Sequence, residues 1–149
     1  MSEESGTFVF GEEDNAVELK DLEPAKGPYE LTIFGTPIIE GNDDGTGLRL
    51  SVLLQAESEP LAKPVFLRMF LPDKSKGNDR MYNDNLLKIQ QFKQAFGWTP
   101  PVGQVPFLNQ EFPELSGQRA WANLKVKKDK SGQYDDEVVV KAWVRGAVV

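Results

Sequence analysis

The chain has 149 residues, no cysteine, no histidine and a formal net charge of −6. That length fits one domain with a core large enough to stand without a covalent staple. The two absent residue types exclude disulfides, thiolate metal sites, a Ser-His-Asp arrangement and the commonest general base.

The charge is unevenly placed. Residues 1–23 hold eight acids and one base, a net of −7, whereas 24–149 hold 15 acids and 16 bases, a net of +1. We read 1–23 as an acidic arm, mobile or loosely docked, and 24–149 as the folded domain. The run Phe8–Phe10 is the arm's one apolar stretch, fit to anchor it or to pair as an added strand. The arm lacks the basic and apolar regions of a secretory signal, and no apolar run reaches about 18 residues. The expected setting is therefore the cytoplasm, away from membranes.

From Gly27 onward the pattern has period two. Tyr29, Leu31 and Ile33 alternate with Glu30, Thr32 and Phe34, which predicts a half-buried strand ending near Thr36–Pro37. Gly41–Gly47 (GNDDGTG) is a turn. A second strand covers Leu48–Ala56, with Leu48, Leu50, Val52 and Leu54 inward and Arg49 on the other face. The third is Val65–Leu71, where Phe66, Arg68 and Phe70 oppose the inward set. Pro72–Asp84 reads as a polar loop, and Asn83 or Asp84 is placed to cap a helix over Asn85–Phe96 that stops at Gly97. Trp98–Leu115 holds four prolines and reads as a long irregular connection. A hairpin closes the chain: Ala120, Ala122, Leu124 and Val126 face inward on one strand, and Val138, Val140, Ala142 and Val144 on the other, with the turn near Asp129–Gly132. The order strand, strand, strand, helix, strand, strand is that of an OB-fold. This is a mainly β class: a five-stranded β-barrel with one α-helix between strands three and four.

Three stretches, GPYELTI (27–33), NDNLLKIQQFKQAFGW (83–98) and LSGQRAWANLKVKKDKSGQYDDEVVVKAWV (115–144), resemble the compact phage-type single-stranded DNA-binding proteins of OB-fold class. The likeness lies in an aromatic-led opening strand, a helix ending in glycine, and a basic strand leading through an Asp-Lys-x-Gly turn into the last strand. It implies a non-catalytic protein of phage DNA replication or recombination, working in the host cytoplasm. The acidic arm and the proline-rich connection have no counterpart in that pattern.

A binder of single strands needs aromatic faces on which bases stack and cations that follow phosphates. The faces opposite the inward residues carry both. The candidates are Arg49, then Phe66, Arg68 and Phe70, then Trp121, Lys125 and Lys127, then Lys141, Trp143 and Arg145, with Arg119 beside Trp121. The loop residues Lys74, Lys76, Arg80 and Tyr82 repeat the mixture, and Lys128 and Lys130 belong to the hairpin turn. Any one of these aromatics is equally fit to be core, Trp143 or Phe66 beneath the proline-rich connection for instance; their interleaving with cations points to nucleic acid.

The clustered carboxylates of the domain, Asp43–Asp44 and Asp135–Glu137, fall at turns, where such residues serve backbone geometry. GNDDGTG lacks the lysine and spacing of a phosphate-binding loop. No enzyme, cofactor or metal is expected. The expected partner is single-stranded DNA, with the arm either competing for the basic face or docking a replication or recombination protein; self-association stays open. The alternatives are a structural or protein-interaction β-domain of a virus or phage, and a carboxylate-metal nuclease.

Overall fold

The computed structural model describes residues 18–41, 47–75 and 77–144. Five strands and one long helix follow one another as β1 (Tyr29–Gly41), β2 (Leu48–Ala56), β3 (Val65–Phe70), α1 (Asp79–Phe96), β4 (Arg119–Lys127) and β5 (Glu137–Trp143), with short 3₁₀ turns at Pro24–Lys26 and Pro113–Leu115. The strands form one antiparallel sheet in the order β3-β2-β1-β4-β5. The mainly β class and the helix between β3 and β4 are as expected. The sheet is open, because its ladders end at β3 on one side and β5 on the other. Those two edges nevertheless lie within side-chain reach: Arg68 Nη1 is 3.6 Å from Glu137 Oε2.

Alternation builds the core. Leu31, Ile33 and Ile39 of β1, Leu50, Val52 and Leu54 of β2, Val65 and Met69 of β3, and Ala120, Ala122 and Leu124 of β4 are all buried. They close against Phe92 and Phe96 of α1 and Phe112 and Leu115 of the proline-rich connection. Val126, expected inward, is exposed at the end of β4.

Strand β1 runs four residues past its expected end because it is kinked rather than terminated. Its register with β2 shifts between Phe34 and Ile38, around Gly35 at φ 71°. Such a break bends a strand and frees one of its edges. The first half of β1 pairs with β4, and the connection takes over the same edge of the second half: the N–H groups of Ile39 and Asn109 donate to the carbonyls of Gln110 and Ile39 at 2.9 and 2.8 Å.

Helix α1 begins six residues earlier than expected. Asn78, not Asn83 or Asp84, is the cap: its side-chain oxygen accepts the Met81 N–H at 2.9 Å. This satisfies one of the free donors of the first turn. Arg80 and Tyr82 therefore stand on the helix, not in a loop. The helix ends at the left-handed Gly97, as expected.

The largest departure is in β5. Asn123 faces Ala142, but Leu124 faces Val140, so Lys141 is an extra residue. One added residue reverses the facing of everything beyond it. Ala142, expected inward, is exposed, and Trp143, expected on the outer face, turns in toward α1. Within the arm, Leu22 is buried, the Lys63 N–H donates to the Lys20 carbonyl at 2.8 Å, and the Tyr29 hydroxyl donates to the Glu23 carbonyl at 3.1 Å. Phe8–Phe10 lie outside the described residues. Among those residues, no helix is long and apolar enough to cross a membrane.

Candidate nucleic-acid interface

The outer face of β3 is built by the alternation that buries Val65 and Met69. It presents Phe66 and Phe70, each 46 % exposed, on either side of Arg68. The Arg68 guanidinium lies 5.0 Å from the Phe66 ring centroid, a cation–π contact. Cross-strand pairing sets Arg49 of β2 opposite Phe70. Arg49 is held by Glu40, Nε to Oε1 3.5 Å, and Glu40 also accepts from the Ser51 hydroxyl.

Where β3 and β5 meet without a ladder there is a groove of ≈ 600 Å³. Eight of the expected residues line it: Arg49, Phe66, Arg68, Phe70, Lys125, Lys127, Lys141 and Trp143. Lys125 and Lys127 point outward from β4, opposite Val139 and Glu137 of β5. Glu137 is the one acid in the lining, and Arg68 pairs with it across the seam. The remaining cations leave the groove strongly positive, next to two exposed aromatic faces.

Trp143 contributes only part of its surface. Its ring packs edge-on against Phe92 and Phe96, with centroids 6.2 and 5.1 Å away. It is thus a half-buried core residue with one edge at the groove, a consequence of the β5 bulge. Trp121 stays on the outer face, half-buried opposite Glu30 of β1. It lines a second groove, of ≈ 810 Å³, with Arg119, whose Nε is 3.1 Å from Glu57 Oε1.

The Pro72–Asp84 candidates do not join this groove. Lys74 lies over the Tyr82 ring at 5.3 Å, and Arg80 is exposed in the first turn of α1. Lys76 and Arg145 lie outside the described residues. Conversely, Lys88 and Gln91 of α1 line the seam groove and had not been singled out. Both are exposed and three apart on the helix, but Lys88 stands one turn before the buried Phe92, so the helical pattern does not mark them as a pair.

Of the carboxylates near the hairpin, Asp129 and Asp136 are engaged in its turn, whereas Glu137 stands on β5. The Asp129 carboxylate accepts the Tyr134 N–H and the Ser131 hydroxyl, both at 2.8 Å, and these bonds hold its pKa below the ordinary value. Asp136 Oδ1 accepts the Asp129 N–H at 3.1 Å. Asp43 and Asp44 lie outside the described residues. Among the residues described, no three acidic side chains gather where a metal ion would sit.

Compared with known proteins, the chain matches no protein-family model and no curated protein.

Proposed function

We propose that the protein binds single-stranded DNA without covalent chemistry, by stacking bases on exposed aromatics and pairing phosphates with cations. The observation that carries this reading is the seam groove, where Phe66 and Phe70 stand among Arg49, Arg68, Lys125, Lys127 and Lys141. Each stacked base is worth about 1–3 kcal/mol and tolerates any sequence, and the cations add affinity that falls with salt. The open sheet also supports an OB-fold assignment. Its order β3-β2-β1-β4-β5, with the outer strands brought together and a helix between β3 and β4, is that of a five-stranded barrel parted along one seam. With the sequence resemblance, this points to a coating role in phage DNA replication or recombination.

A gel shift on single-stranded oligonucleotides, with a duplex control, tests the reading. Retarded single strands, and tryptophan fluorescence quenched by poly-dT and restored by about 1 M salt, are expected. No retardation at low salt sinks it.

One observation favours the protein-interaction alternative. The proline-rich connection exposes Val102, Val105, Phe107 and Leu108, an apolar set of the kind that partners cover. That surface lies outside the lining of the seam groove, so the two readings predict different sensitive residues. Magnesium-dependent degradation of the same oligonucleotides would instead indicate a nuclease.

A further inference from the structure

The two grooves are not separate. The seam groove and the groove beside Trp121 share Gln91 of α1 and Lys141, Ala142 and Trp143 of β5. Their junction is the β5 bulge. The extra residue leaves Lys141 exposed there, and the parity change brings the small side chain of Ala142 to the surface beside it. A methyl group at the crossing leaves room for a chain to pass over, whereas Trp143 in that position would block it. On the far side of the crossing stands α1, with Lys88 and Gln91 one turn apart on one face.

We infer that the nucleic-acid path runs from Phe66 and Phe70 across the β5 bulge to Trp121, with α1 as its outer wall, Lys88 pairing a phosphate and Gln91 bonding a base edge. The inference rests on the single-strand reading above and adds a direction and two residues to it. Lys88 and Lys141 present charge from opposite walls of one passage, the arrangement that follows a phosphate backbone. Gln91 carries no charge but offers two donors and an acceptor. An unpaired base exposes the matching groups on its Watson–Crick edge, and a base in a duplex does not. The α1 wall thus adds discrimination between bases to a groove that is otherwise indifferent to sequence.

Lys88→Ala and Gln91→Ala, both on the exposed face of α1, are compared with the wild type and with Phe66→Ala. Binding of labelled dT, dC and dA oligomers of about 16 nucleotides is followed by anisotropy across a salt series. Lys88→Ala should weaken all three about three- to tenfold at low salt and flatten the log–log salt slope by about 0.7, the value of one lost phosphate contact on a single strand. Gln91→Ala should keep the slope and change the ratio of affinities among the three oligomers by about threefold or more. Circular dichroism checks that the helix is intact. If Phe66→Ala weakens binding while both α1 variants keep the wild-type slope and ratios, the α1 wall is wrong and the seam reading stands. If the wild type binds none of the oligomers, the seam reading itself is wrong.

Discussion

Trp143 meets Phe96 edge to face, with ring centroids 5.1 Å apart and ring planes at 77°. The contact exists because Lys141 is the extra residue of the β5 bulge and turns the next side chains over. Two tryptophans that share a surface in the linear pattern therefore have different work. Trp143→Ala should lower unfolding stability by about 2–4 kcal/mol, somewhat less than a fully buried tryptophan, measured by denaturant titration. Trp121→Ala should cost under about 1 kcal/mol of stability but about 1–3 kcal/mol of single-strand affinity. Equal denaturation midpoints for Trp143→Ala and the wild type would show that the bulge does not seat this ring.

Phe66 and Phe70 are equally exposed but differently occupied. Arg68 covers one face of Phe66, and Arg49 stands opposite Phe70 across the β2–β3 ladder. Phe70→Ala should lose about 1–3 kcal/mol of affinity for dT oligomers, the value of one stacked base. Phe66→Ala should lose a similar amount, but a double-mutant cycle with Arg68→Ala should give a coupling of at least about 0.5 kcal/mol. An uncoupled pair would mean that the contact between Arg68 and Phe66 is the same with and without DNA.

The alternation of β1 to β4 was legible because each strand has one buried face, and Leu31, Leu54, Met69 and Ala122 all lie where period two puts them. The facing of Trp143 was not, because a single extra residue in VVVKAW leaves no mark on composition and reverses parity. The helix start was ambiguous for a local reason: Asn78, Asn83 and Asp84 are all competent caps, and the bond to Met81 decides between them. Strand alternation turns Arg49, Phe66, Arg68, Phe70, Lys125 and Lys127 to the groove, and Lys141 comes to it as the extra residue of the bulge. The eighth, Trp143, reaches it by an edge, through the bulge. Lys88 and Gln91 were missed because no local pattern tells which helix face will lie along a seam between two distant strands.

The hairpin turn makes a prediction about acid. Asp129 accepts the Tyr134 N–H and the Ser131 hydroxyl more strongly as a carboxylate than as the neutral acid, so folding depresses its pKa. Its contribution is therefore present above the unfolded-state pKa and is lost as the pH falls through the lower folded value. NMR titration should show the Asp129 midpoint below that of an exposed aspartate, with the Tyr134 amide shifting at the same midpoint. In Asp129→Asn the Tyr134 amide should no longer follow this titration. A Tyr134 amide insensitive to acid in the wild type would contradict the bond.

Part of the acidic arm is docked. Leu22 is 4 % exposed in the core, the Lys20 carbonyl accepts the Lys63 N–H and Asp21 lies 3.8 Å from Lys63 Nζ, so residues 20–23 belong to the folded body. Residues 1–17 carry five acids and no base, and the seam groove carries cations in excess. A segment of that charge competes with phosphates for the same cations, and salt screens the competition within a Debye length of about 10 Å at 0.1 M. Removing residues 1–17 should therefore tighten single-strand binding at low salt by several-fold, with the gain fading as salt rises. Removing residues 1–23 should instead destabilise the fold, because Leu22 and the Glu23 carbonyl that accepts the Tyr29 hydroxyl go with it. Anisotropy titrations at two salt concentrations, beside thermal unfolding of both truncations, separate the two effects. Unchanged or weaker binding by the shorter truncation would mean that the arm does not contest the groove.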